Sequence, residues 1–121
     1  MFYQVVDKIG EKGNYIETSG SAMIAYSILK GARLGALPER YYKIGLDIFN
    51  GICKNKLNLV NGELDLEGIC LVAGLGPDDN RRRDGSYEYY ISEPVVSNDA
   101  KGVGAFVMAY IEVLKYLKTQ E

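Results

Sequence analysis

The densest run of groups able to do chemistry lies between Asp78 and Tyr90, where Arg81-Arg82-Arg83 is followed by Asp84, Tyr87, Glu88, Tyr89 and Tyr90. Arginine can clamp a carboxylate through two parallel hydrogen bonds. Tyrosine rings offer the flat apolar platform that sugar faces favour. Arg83, Asp84, Tyr87 and Glu88 are therefore candidate substrate contacts. The competing reading is a solvated loop of Arg–Asp pairs whose tyrosines belong to the core. Asp84 and Glu88 also form a carboxylate pair, and glycosidases hold such pairs ~5–10 Å apart. Their spacing permits that distance, but a loop without an enclosing pocket would not hold them there. No catalytic residue is assigned.

Glu17, Ser19 and Ser21 form a second cluster at a helix start. They can meet a sugar, or Ser19 or Ser21 can cap the helix with Glu17 as a local partner. Tyr3 and Gln4 can reach a pocket from an extended segment, or pack at a strand edge. Gly74-Leu75-Gly76 is not a nucleotide loop, because no Lys-Ser/Thr follows and Pro77 comes next.

The chain has no histidine, which removes the commonest general base near neutral pH and every serine–histidine or cysteine–histidine pair. Cys53 and Cys70 lack metal-ligand spacing, so no metal site is expected. Cys53 falls in an apolar helical pattern that reads as a buried free thiol, with a disulfide left open. A net charge of −2 and a pI near 5.2 give no pull toward nucleic acid or anionic lipid. Asp78, Asp79 and Asp84 flank the one dense basic run. No apolar stretch approaches the ~20 residues that span a bilayer. The first residues lack a basic segment followed by a long apolar one, so the expectation is a cytoplasmic chain. With 47% hydrophobic and 25% charged residues, 121 residues suit one domain, 1–121, with a modest core.

Several elements must position these groups. A helix is expected from about Ser21 to Leu34, with Ala22, Ala25, Ile28, Leu29 and Ala32 on one face, Ser19 or Ser21 as cap and Gly35 at its end. Met23, Ile24 and Tyr26 make its other side apolar too, so it wants the interior of a larger assembly. A second helix is expected from Pro38 to about Lys54, antiparallel to the first. Its face of Tyr41, Ile44, Ile48, Phe49 and Ile52 opposes Lys43, Asp47, Asn50 and Lys54. Asn61-Gly62 predicts a type I′ hairpin over Leu57–Leu66 in which Val60 faces Glu63, Leu59 faces Leu64 and Leu57 faces Leu66. All four leucines then share one buried face. Gly68 to Asn98 shows no sustained period and is expected as a long irregular loop, of the kind that is functional or wraps a partner. A last helix follows Asn98 or Asp99 to about Lys118. Val103, Val107, Tyr110, Ile111, Leu114 and Leu117 form its expected buried stripe, and Glu112, Lys115 and Lys118 its wet side.

Three runs carry a resemblance. They are Phe2-Tyr3-Gln4-Val5-Val6-Asp7; Glu17-Thr18-Ser19-Gly20-Ser21-Ala22-Met23 with Lys30-Gly31-Ala32-Arg33-Leu34-Gly35; and the ordered set Val72-Ala73-Gly74-Leu75-Gly76, Arg83-Asp84-Gly85-Ser86-Tyr87-Glu88-Tyr89-Tyr90, Ser92-Glu93-Pro94-Val95-Val96 and Lys101-Gly102-Val103-Gly104. Together they resemble the C-terminal signature of the unsaturated rhamnogalacturonyl hydrolases of glycoside hydrolase family 105, related to the family 88 unsaturated glucuronyl hydrolases. The similarity runs from residue 2 to about 111.

The resemblance implies a mainly α fold: helical hairpins supplying roughly the last third of an (α/α)6 toroid, with one small β-hairpin and a long loop. It implies substrates that are unsaturated galacturonyl-rhamnose fragments of pectin. In the family an aspartate protonates the C4=C5 vinyl ether, water adds at C5, and the hemiketal opens to release the rhamnose end. No metal or organic cofactor is implied. The family's acid/base aspartate and its uronate-holding histidine, tryptophan and arginine map upstream of Phe2. This chain has neither Trp nor His. The expectation is a fragment or half of a split enzyme, inactive alone. Its partner would be a homo-oligomeric mate or an N-terminal barrel chain. A self-associating or partner-binding helical module is the alternative.

Overall fold

The computed structural model describes residues 1–120. Three long helices carry the architecture: α1 (Thr18–Arg33), α2 (Tyr41–Lys56) and α4 (Ala100–Lys118), with the short α3 (Tyr87–Ser92) between the last two. Three antiparallel strand pairs tie their ends: β1 (Phe2–Tyr3) with β2 (Ile16–Glu17), β3 (Leu57–Val60) with β4 (Glu63–Leu66), and β5 (Ile69–Cys70) with β6 (Val95–Val96). Helix α1 is central and packs against both α2 and α4.

The expected α1 begins at Thr18, upstream of Ser21, because its cap is not a serine. The Glu17 carboxylate accepts from the backbone N–H of Ser19 and Gly20, satisfying two of the helix's free donors. At the other end Gly35 takes φ +73°, and Ala36 N–H donates to Gly31 O at 2.9 Å, the left-handed stop that glycine permits. Pro38 lies outside α2, in a preceding turn where Tyr41 N–H donates to Pro38 O at 2.9 Å. The turn brings α2 back alongside α1, where a Cβ on Gly45 would sit 2.7 Å from Leu29 Cγ. Ile48, Phe49 and Ile52 are buried as expected, while Ile44 is exposed.

The hairpin has the expected register, with Val60 opposite Glu63, Leu59 opposite Leu64 and Leu57 opposite Leu66. Asn61 and Gly62 both take positive φ, at 52° and 85°. Its leucine face is not uniformly buried. Leu66 is 4% exposed at the base, whereas Leu59 is 72% and Leu64 67% exposed beyond the core's reach. Asn98 closes the base as a third backbone would. Its N–H donates to Leu66 O and its Oδ1 accepts from Leu66 N–H, both at 2.9 Å.

The expected irregular stretch contains β5, α3 and β6. Ile69 pairs with Val96 and Cys70 with Val95, so a strand pair closes the root of the loop. These elements are too short to show a period.

Helix α4 starts after Asp99, whose side chain accepts from Lys101 N–H, but it buries another face than expected. Gly102, Ala105, Ala109, Glu112 and Val113 are buried. Val107, Tyr110, Ile111, Leu114 and Leu117, given above as the buried stripe, are 40–52% exposed. The reason is steric. Where α1 presents Ala22, Ala25 and Ala32, two helices approach closely only if both offer small side chains. Glu112, expected in water, is 3% exposed and lies under the Arg33 guanidinium, with Nε–Oε2 at 2.5 Å and Nη2–Oε1 at 3.1 Å. Tyr42 packs between helices, with its ring centroid 4.5 Å from that of Tyr116.

Candidate functional site

The β1–β2 ladder sets Phe2 opposite Glu17 and Tyr3 opposite Ile16, next to the start of α1. Between them lies a concavity of about 170 Å³ whose lining includes Phe2, Tyr3, Gln4, Glu17, Gly20 and Ser21. Glu17 is 5% exposed, and its oxygens are heavily engaged. Oε1 accepts from Ser19 N–H at 3.0 Å, Ser19 Oγ–H at 2.7 Å and Cys70 N–H at 3.0 Å; Oε2 accepts only from Gly20 N–H at 2.5 Å. A carboxylate so held cannot swing or act as a nucleophile, but Oε2 keeps lone-pair capacity for a ligand hydroxyl. Ser21 is tied into the same knot. Its hydroxyl donates to Glu17 O at 2.7 Å and accepts from Phe2 N–H at 2.9 Å. The two strand-edge and helix-start readings made from sequence thus meet at one place.

Behind the concavity Gln4 Nε2 donates to Cys70 Sγ at 3.5 Å, and the buried hydroxyl of Tyr15 has no hydrogen-bond partner among the described residues. Burial first, then neighbouring Cys70, Glu17 and Glu93, push the Tyr15 phenol far above its ordinary range, so it stays protonated. Cys53 and Cys70 are both free, and burial pushes the Cys53 thiol up.

Arg83, Asp84, Tyr87 and Glu88 do not line this concavity; they lie on the loop leading into α3 and on its first turn. The loop is locally braced. Gly76 N–H donates to Arg83 O at 3.0 Å, and Asp84 Oδ1 accepts from Ser86 N–H at 2.9 Å. Gly85 takes φ +79°, and the Ser86 side chain caps α3. The hydrogen bonds from Ser86 hold the Asp84 carboxyl below its usual value. Tyr87 Oη donates to Lys12 O at 3.2 Å, binding α3 to the turn before β2. Asp84 and Glu88 are exposed and Arg83 half-buried, so no enclosed carboxylate pair exists there.

Sequence reasoning passed over Arg82 and Glu93. Arg82 Nη2 donates to Glu93 Oε2 at 3.1 Å, and its guanidinium lies 5.9 Å from the Tyr89 ring centroid. Glu93 is 4% exposed, and its Oε1 has no partner among the described residues. Burial pushes its carboxyl up, but hydrogen bonding with Tyr89 and Arg82 and the charges of Arg82 and Arg83 outweigh this and hold it down. Glu112, with Arg33 first and Lys115 after it, is held down as well. A proton donor at neutral pH needs its pKa raised, whereas the carboxyls of Asp84, Glu93, Asp99 and Glu112 are all shifted down. No group of three His, Cys, Asp or Glu among the described residues could hold a metal ion, and none of their helices is long and apolar enough to cross a membrane.

The fold and the motifs around both clusters find their counterparts in known proteins. The sequence pattern of Glycosyl Hydrolase Family 88 matches residues 1–117, and the chain belongs to that family. It is 47% identical over 119 residues to Protein Atu3128 of Agrobacterium fabrum (strain C58 / ATCC 33970), covering 94% of this chain and 51% of that protein. The same values relate it to the 24.9 kDa protein in picA locus of Rhizobium radiobacter. The chain therefore spans about half the length of these curated relatives. A solved glycoside hydrolase from family 105 of C. acetobutylicum ATCC 824 superposes with a TM-score of 0.85 at 48% identity, over 92% of this chain and 31% of that one. The helical hairpins are thus those of part of an (α/α)6 toroid.

Proposed function

We propose that the chain forms the C-terminal, substrate-side part of an unsaturated rhamnogalacturonyl hydrolase. The reaction is hydration of the C4=C5 bond of unsaturated galacturonyl-rhamnose derived from pectin. A carboxylic acid delivers a proton across the double bond, water adds at C5, and the hemiketal opens to free the rhamnose end. The observation that carries the reading is the likeness to a family 105 hydrolase over 92% of this chain. The acid comes from residues outside 1–120, since the carboxyl groups here are exposed, lowered, or tied up in caps and ion pairs. Arg83, with Asp84, Tyr87 and Glu88 beside it, is a substrate contact on the loop before α3, while the uronate itself is held by residues upstream of Phe2. Tyr3 supplies an aromatic face and Glu17 Oε2 an acceptor for sugar hydroxyls. A cytoplasmic setting, with no metal or organic cofactor, belongs to the same reading. The second reading, a helical association module, is favoured by the apolar outer face of α4.

The test has two arms, both on the purified chain. Turnover of unsaturated galacturonyl-rhamnose, followed as loss of ultraviolet absorbance, is expected to be nil, and clear turnover would place an acid within the chain. Calorimetric binding of the same disaccharide is expected, with at least tenfold weakening in Arg83→Ala. Absence of binding by the folded chain overturns the substrate-side assignment.

A further inference from the structure

Glu93 takes a charge into the interior at the root of the long loop. Its side chain is 1% exposed, between the end of α3 and the start of β6. Oε2 accepts from Arg82 Nη2 at 3.1 Å, across 11 positions of chain. Oε1 has no partner among the described residues and is closed off within the chain, so nothing outside 1–120 can reach it. An ionised carboxyl with one oxygen unpaired is costly to bury unless a cation lies against it. Apolar residues of the same volume commonly replace such a pair without loss, so stability alone does not account for it. We propose that Glu93 is a positioning residue: through Arg82 it clamps the loop 71–86 onto the β5–β6 pair, and so fixes the Arg83 guanidinium where it meets substrate. The inference rests on the reading of Arg83 as a substrate contact.

The two neighbouring arginines have separate tasks. Arg82 is engaged at both faces, by Glu93 and by the Tyr89 ring, whose centroid is 5.9 Å away. Tyr89 is itself 4% exposed, and its hydroxyl accepts from Gly74 N–H at 3.1 Å. One limb of the loop is thus tied to the other at Gly74 and Tyr89, and its tip is tied to its root at Arg82 and Glu93. Beside that root Leu71 N–H donates to Pro94 O at 2.9 Å. Arg83 is held by its backbone, whose O accepts from Gly76 N–H at 3.0 Å and whose N–H donates to Asn80 O at 3.2 Å. A Cβ on Gly76 would stand 2.8 Å from Arg83 Cβ, so the limbs touch there. Among the described residues no hydrogen bond or ion pair occupies the Arg83 guanidinium. The fixed arginine therefore places the unoccupied one next to it in the chain.

Glu93 faces Arg82 and Arg83 from the loop, Tyr89 from α3 and Tyr15 from the segment before β2. Burial raises its carboxyl, and the bonds to Tyr89 and Arg82 with the two arginine charges lower it by more. The clamp is complete above the ordinary value of 4.5 and loosens as pH falls toward the lower folded value.

Amide hydrogen exchange tests the clamp. In Glu93→Gln and in Arg82→Met the protection of Gly74 and Gly76 N–H is expected to fall about tenfold, with α1 unchanged. Arg82→Met keeps the side chain's apolar stem at a position 58% exposed, where the fold tolerates it. The double variant should lose no more than either single one. For Glu93→Gln the gap from wild type should close as pH falls below 4.5. Unchanged loop protection in both variants, or a gap that persists at low pH, overturns the clamp. Calorimetric binding of unsaturated galacturonyl-rhamnose tests what the clamp serves. Arg82→Met, with Arg83 intact, is expected to weaken it about tenfold. Equal binding by wild type and Arg82→Met overturns the positioning role. A wild type that exchanges as expected but binds no disaccharide overturns Arg83 as a substrate contact and leaves the clamp standing.

Discussion

Replacing Glu112 by alanine removes an acceptor that holds two cations in the packed zone between α1 and α4. Arg33 Nε and Nη2 reach its two oxygens at 2.5 and 3.1 Å, and Lys115 Nζ reaches Oε1 at 2.9 Å. Breaking a fully buried pair from one side costs 3–5 kcal/mol, because the remaining charge is stranded. Here the Glu112 side chain is 4% exposed but those of Arg33 and Lys115 are 31% and 47% exposed, so both cations can turn to water. The expected loss for Glu112→Ala is therefore about 2 kcal/mol, a lowering of the melting temperature by roughly 6–10 °C for a chain this size. The pH dependence identifies the cause. Arg33 foremost holds the carboxyl below its ordinary 4.5, so its stabilisation is complete above that value. It fades as pH falls through 4.5 toward the lower folded value. Urea unfolding at pH 7 and at steps down to the acid limit should show the gap between wild type and Glu112→Gln narrowing below about pH 5. A gap constant with pH would mean that shape, not charge, makes Glu112 necessary. A loss within 0.5 kcal/mol at pH 7 would refute the pair's contribution altogether.

Two further substitutions probe the close approaches that hold the candidate site. Gly102→Ala would place a Cβ 2.6 Å from Ile69 Cγ1 and closer still to Cδ1, against a fully buried side chain at the root of the loop. A cost of about 1–3 kcal/mol is expected in urea unfolding, and an unchanged midpoint would show that β5 yields freely. Glu17→Gln turns an acceptor into a donor facing Gly20 N–H or Cys70 N–H. It should cost about 1–3 kcal/mol, nearly as much as Glu17→Ala, whereas a cap needing only one acceptor would tolerate it.

Local chemistry was legible where it acts over a few residues. Asn61-Gly62 fixes the hairpin's register because both positions must take positive φ, and the strands on either side have no freedom left. The existence of α1, α2 and α4 follows from periodicity in the same way. What sequence concealed depends on distant partners. Glu17 outcompetes Ser19 as cap because Cys70, 53 residues away, supplies a further donor to the same oxygen. Glu112 looks solvent-facing until Arg33, 79 positions earlier, is brought over it. Tyr3 and Glu17 were each singled out, but only the β1–β2 pairing places them on one concavity. The pair Arg82–Glu93 has no periodic signature at all.

Helix α4 was misread for a different reason. Periodicity of large apolar residues marks a face that avoids water, and that inference assumes that the chain contains whatever covers the face. In α4 the two requirements separate. Contact with α1 selects Gly102, Ala105 and Ala109 for closeness, and leaves Val107, Ile111 and Leu114 on the outside. A helix whose large apolar stripe and small-residue stripe lie on opposite sides can pack closely through the small one while its apolar area stays on the other. The expected burial of that stripe fails here because the contact that sets the buried face, α1, selects for small volume and not for apolar area.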